Sequence, residues 1–163
     1  MAATYTPIAS ITLGTATAAV TFSSIPQTYT DLILVGSLNT TASLDYSFRL
    51  NSDTTAIYST TRLTGNGSAA SSARLTNYTL GYINALSGAT GQHSFIFNLM
   101  NYTNTTTYKS ALVRYDNSAT ETMVRVHLYR STSAISTISI QTDSSTFVTG
   151  STFNLYGIQA GNA

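Results

Sequence analysis

The chain has 163 residues, a net charge of +1, 42% apolar residues and only 8% Lys, Arg, Asp and Glu, with Ser and Thr making up about a third of it. That length buries a real hydrophobic core in a single domain, expected to span residues 1–163, and the balance of apolar content against low charge excludes a disordered chain. Seven basic residues scattered from Arg49 to Arg130 give no cluster to neutralise phosphates, so nucleic acid is not an expected partner. The absence of Cys excludes disulfides, thiolate catalysis and thiolate metal sites.

In chain order, apolar residues alternate with polar ones in short runs. Strands are predicted over the approximate segments 5–13, 18–23, 30–38, 43–51, 56–63, 78–83, 93–100, 109–115, 122–130, 135–141 and 151–159. The opening residues through Pro7 carry neither a basic nor an apolar leader segment, and no later run reaches the ~20 apolar residues of a membrane span; a soluble protein without a membrane partner is expected. Alternation places Val20 and Phe22 on an inward face. The run Leu32-Ile33-Leu34-Val35 is apolar on both faces, as in a central strand covered by core on one side and by a loop or neighbouring subunit on the other. Leu44, Tyr46, Phe48 and Leu50 form the cleanest alternation. Inward faces are then assigned to Tyr78, Leu80 and Tyr82, to Phe95, Phe97 and Leu99, to Val124, Val126 and Leu128, and to Ile138 and Ile140.

Turn-forming clusters at Asn51-Ser52-Asp53, Gly65-Asn66-Gly67-Ser68, Gly88-Ala89-Thr90-Gly91, Asp116-Asn117-Ser118 and Gly150-Ser151 separate these runs. The stretches Gly65 to Asn77 and Asn101 to Thr107 read as exposed loops. With no sustained period of 3.6, the expected fold is all-β, an antiparallel jelly-roll-like β-sandwich with almost no helix.

Residues able to carry chemistry are few. His93 and His127 have no partner at a metal-ligating spacing and read as ordinary, partly exposed side chains. No Gly-x-Ser-x-Gly turn accompanies the many serines. The acids Asp31, Asp45, Asp53, Asp116, Glu121 and Asp143 read as turn and ion-pair residues, and Asn51 to Asp53 as an Asx-turn rather than a calcium loop. The expectation is a non-enzymatic protein with no catalytic residue, cofactor or metal. Eleven Tyr without Trp supply flat area with polar tips. Tyr102, Tyr108, Tyr115 and Tyr129 fall near loops or in outward phases, and serve either the sandwich itself, a protein interface or a glycan contact.

Three stretches resemble a module of tailed-phage virion proteins. They are Thr21-Phe22-Ser23-Ser24-Ile25-Pro26-Gln27-Thr28-Tyr29-Thr30-Asp31-Leu32-Ile33-Leu34-Val35-Gly36, the region from Phe48-Arg49-Leu50-Asn51 to Gly65-Asn66-Gly67-Ser68, and the closing Gly150-Ser151-Thr152-Phe153-Asn154-Leu155-Tyr156-Gly157-Ile158. The last is the most specific, and in order the three span nearly the whole chain. The resemblance implies a structural protein made in the host cytoplasm and placed on the virion surface. In that reading it is a capsid decoration or cement protein on the outside of the head, a homo-oligomer, expected to be a trimer, touching the major capsid protein or a neighbouring virion protein. The alternative it leaves open is a tail-appendage or receptor-binding module contacting host glycans through the two loops. Shaftless length favours decoration. The closing strand is expected to turn Phe153 and Leu155 to the core and Tyr156 and Ile158 to the other side, and the candidate interface residues are Leu32, Leu34, Tyr102, Tyr108, Tyr129, Tyr156 and Ile158.

Overall fold

A computed structural model describes residues 4–40, 45–84, 91–117 and 121–159. Two antiparallel sheets pack face to face. One has eight strands in the order β1 (Thr6–Thr12), β12 (Thr152–Ile158), β3 (Asp31–Thr40), β8 (Gly91–Met100), β9 (Lys109–Asn117), β10 (Glu121–Tyr129), β5 (Tyr58–Gly65) and β6 (Ala70–Tyr78). The other has four, in the order β2 (Ala19–Phe22), β11 (Ile138–Thr142), β4 (Tyr46–Leu50) and β7 (Gly81–Asn84). The described residues contain no helix, and the fold is the expected all-β, jelly-roll-like sandwich.

The two-residue side-chain period of a strand builds the core. Leu32 and Leu34 of β3, Phe95, Phe97 and Leu99 of β8, and Phe153 and Leu155 of β12 meet Val20, Phe22, Tyr46, Phe48, Leu50, Ile138 and Ile140 from the smaller sheet, all buried. Leu44, placed with this set by its alternation, lies outside the described residues. Phe48 is central, with its ring centroid 4.7 Å from that of Phe97 across the sandwich and 4.9 Å from the His127 ring, at interplanar angles of 61° and 82°.

The central-strand reading of β3 holds, since β12 and β8 flank it. Register brings the first and last of the resembling stretches side by side, with Leu34 opposite Leu155 and Gly36 opposite Phe153. Gly157 is needed where it stands because a Cβ there would overlap the Tyr29 ring, which lies on the Gly157 backbone. At the β4 end, Asn51 adopts a positive φ of 52° and ties the chain before β11, donating to the Ala134 carbonyl (2.9 Å) and accepting from the Ser136 amide (2.9 Å). Asp53 makes the expected Asx-turn, accepting from the Thr55 amide at 2.8 Å.

Three expectations are corrected. The stretch from Gly65 to Asn77 is not a loop but the turn of a hairpin followed by β6; Asn66 Oδ1 accepts from the Ser68 and Ala69 amides (3.0 and 2.8 Å), and Gly67 takes a φ of 84°. Tyr78 and Tyr82 do not face inward. Tyr78 is exposed and Tyr82 half-buried, while Gly81 and Ile83 hold the inner positions of β7. In β10 the phase is likewise opposite to the expected one: Met123, Arg125, His127 and Tyr129 point into the sandwich, and Val124, Val126 and Leu128 point out.

Candidate functional site

The reversed phase of β10 creates the most unusual surface of the molecule. Exposed single apolar residues are ordinary, but a row of them along one strand of a weakly charged protein is not. Val126 is 50% exposed and Leu128 39%. Register extends the row across the sheet: Leu63 of β5, 62% exposed, lies opposite Val124, and Leu112 of β9 opposite Val126. Ile96 of β8 continues the Val124 row through Arg114. A shallow groove of about 550 Å³ opens at the hairpin end of this face, between Leu63 and Thr64 of β5, Ala70 and Ser72 of β6, and Thr122 and Val124 of β10. A smaller depression of about 170 Å³ adjoins it across Thr122, bordered by Ser94, Ile96, Arg114 and Asp116. Charge there is sparse. Asp116 is occupied by Ser94, accepting from its amide and hydroxyl at 3.0 and 2.9 Å.

The inner positions of β10 explain why the apolar set faces out. Tyr129 donates its hydroxyl to Asp53 at 2.9 Å and stacks 4.9 Å from the Tyr58 ring. His127 Nδ1 lies 2.6 Å from the Thr60 hydroxyl, and Arg125 reaches back to the Met123 sulfur at 2.9 Å. Since a one-residue slip would turn every side chain over, these inward anchors and the unbroken registers with β9 and β5 fix Val124, Val126 and Leu128 outside. Burial, then the nearby Arg125 guanidinium, pushes the His127 imidazole down to about 3, so it is neutral. Burial and then the like charge of Arg62, its register partner, lower Arg125 to about 10.

Most residues expected at an interface lie elsewhere. Leu32 and Leu34 are core residues, and β3 puts Ile33 and Val35 on the other side of the sheet, where Ile33 is buried too and Val35 half-buried. Tyr102 and Tyr129 are inside as well, as is Tyr115. Tyr102 donates its hydroxyl to the Pro26 carbonyl, so the Asn101–Thr107 loop carries it inward rather than presenting it. That loop is further tied down by Lys109, whose buried ammonium donates to the carbonyls of Asn104 (2.5 Å), Thr107 (3.0 Å) and Thr132 (3.1 Å). Tyr108 is exposed at the loop end. Tyr156 and Ile158 are half-buried on the outer face of the large sheet, with Phe153 and Leu155 inward as expected. Tyr156 lies opposite Ile33 and edge-on to Tyr5, so this part of the outer face is continuous with the β3 side of the apolar surface.

His93 and His127 are both buried, not partly exposed. Among the described residues no three His, Cys, Asp or Glu side chains are grouped to hold a metal ion, and no helix is long and apolar enough to cross a membrane.

No protein-family model and no curated protein matches the sequence. Among solved structures, the galectin LEC-6 of Caenorhabditis elegans aligns over 93% of this chain and 96% of that one, at 7% identity and a TM-score of 0.42.

Proposed function

We propose that this chain is a non-enzymatic structural protein of a tailed-phage particle, a homo-oligomeric decoration or cement protein that sits on the outside of the head. It docks on the major capsid protein or a neighbouring virion protein through the outer face of its eight-stranded sheet. The resemblance of the three stretches supplies the virion setting. The observation that carries the docking surface is the outward apolar row of Leu63, Val124, Val126 and Leu128, held outside by the inward hydrogen bonds of His127 and Tyr129. Burying this row against a partner recovers about 25 cal/mol per Å² of apolar area.

Placing a charge in the row tests this without disturbing the core. Leu63→Asp and Val126→Asp, separately and together, are expected to lower occupancy of purified heads at least about tenfold, a loss of about 1.4 kcal/mol of binding. Folding stability should change by no more than about 0.5 kcal/mol, as for surface substitutions. Full occupancy by the folded double variant would remove this face from the docking surface.

A further inference from the structure

The two edges of the large sheet differ. β1 carries Pro7, which has no N–H to offer, and its pairing with β12 slips between Pro7 and Ala9. Both features disrupt an edge as a template for another strand. The opposite edge, β6, has neither over Ala70 to Leu75. It pairs with β5 in continuous register from Thr60 opposite Leu75 to Gly65 opposite Ala70, and its one slip lies at the far end, between Tyr58 and Thr60. Half of the backbone N–H and C=O groups of such a strand point away from the sheet. The side chains flanking them, Ala70, Ser71, Ser72 and Ala73, are small and uncharged, and Arg74 is the strand's single charge. Among the described residues, one edge of the sheet is guarded and the other pairs with no further strand.

We propose that β6 is a self-association strand, on which a second copy of this chain pairs its own β6 antiparallel about a two-fold axis, joining two eight-stranded sheets into one. Charge and side-chain size select the second copy and the register. An axis at Ser72 sets Ala70 opposite Arg74 and Ser71 opposite Ala73, so the two Arg74 side chains stand four residues apart, about 13 Å. An axis at Arg74 would set like charges face to face. Because the axis is perpendicular to the sheet, Ser72 and Leu63, which share the outer side in the β5–β6 register, stay on that side in both copies. The two grooves beside Leu63 and Val124 then meet across the junction and double the apolar face. A strand pair of this length makes a small interface, below about 1,200 Å² in total, and so a weak dimer in free solution. Neighbours held on a lattice would raise its effective concentration. This deepens the homo-oligomer part of the proposed function, giving a two-fold contact, and is independent of where on a particle the chain docks.

Free full-length protein tests it, so failure here is distinct from failure of docking on heads. Sedimentation equilibrium from micromolar to about 1 mM is expected to show a monomer–dimer equilibrium, weakened at least about tenfold by Ser72→Lys, which puts two ammonium groups at the axis. The chain contains no cysteine. A single thiol introduced by Ser72→Cys would face its copy at the Cα separation that a disulfide spans, about 4.5 to 5.5 Å. It should therefore form a covalent dimer at least about tenfold faster than a thiol introduced by Thr21→Cys on the smaller sheet. Either a monomer throughout the range with equal crosslinking of the two cysteine variants, or an oligomer such as a trimer that Ser72→Lys leaves intact, overturns the proposal.

Discussion

Phe48→Ala is expected to cost about 3 to 5 kcal/mol of folding stability, the range for deleting a buried aromatic ring. Phe48 is 1% exposed and reaches across the sandwich from β4, touching Phe97 of β8, Tyr58 of β5 and His127 of β10. Its ring also lies on the backbone of Gly81, so tightly that a Cβ there would overlap it. These neighbours belong to both sheets, and Tyr58 and His127 are fixed by their own hydrogen bonds, so the cavity has little freedom to collapse. Tyr58, for example, accepts from the Leu50 amide through its hydroxyl at 3.0 Å. Urea unfolding of the variant measures the cost. A loss below about 0.5 kcal/mol, the size of a surface effect, would mean that the two sheets do not pack through Phe48.

Acid should weaken the fold through His127. Its imidazole is pushed from the ordinary 6.5 down to about 3 by burial and by Arg125, so the unfolded chain binds a proton that the folded chain refuses. Stability from this group is therefore complete above about pH 6.5 and is lost as pH falls toward 3. At about 1.4 kcal/mol per pH unit, the loss between pH 7 and pH 4 is about 3 kcal/mol. Chemical denaturation of the protein and of His127→Gln across that range isolates the effect, since carboxylates contribute to both. The variant should show the shallower decline. Parallel declines would place His127 in contact with water rather than against Phe48 and Thr60.

The strands legible in the sequence are those whose inner positions carry a run of large apolar residues. Tyr46, Phe48 and Leu50 of β4, Phe95, Phe97 and Leu99 of β8, and Phe153 and Leu155 of β12 are all buried, so alternation alone gives the inner face. β6 escaped because an edge strand at the thin end of a sheet needs no large apolar residue. A Ser- and Ala-rich stretch carries the same composition whether it is a loop or an exposed strand. The phase of β10 escaped for a different reason. Arg125, His127 and Tyr129 read as surface residues until Asp53, Thr60 and Phe48, distant in sequence, are brought to meet them. Non-local hydrogen bonds decided the face, and the apolar alternation on the other side lies on the outer face of the sheet instead of in the core.

The same distinction separates the candidate interface residues. Leu32 and Leu34 read as interface residues because β3 is apolar on both sides, and the partition between Leu32–Leu34 and Ile33–Val35 is set only by pairing with β12 and β8. Tyr102 sits in a loop of Asn and Thr, a setting that reads as solvent, yet the Pro26 carbonyl from a separate loop receives its hydroxyl. Tyr156 and Ile158 were placed on the outer side by counting from Phe153, a local inference that needs no tertiary information.

Electron microscopy of intact particles locates the protein and orients it on its partner. A decoration protein gives even density over the head lattice, with the outer face of the eight-stranded sheet turned toward the shell. Density confined to the tail, or a head-bound molecule whose Leu63, Val126 and Leu128 face solvent, would contradict it.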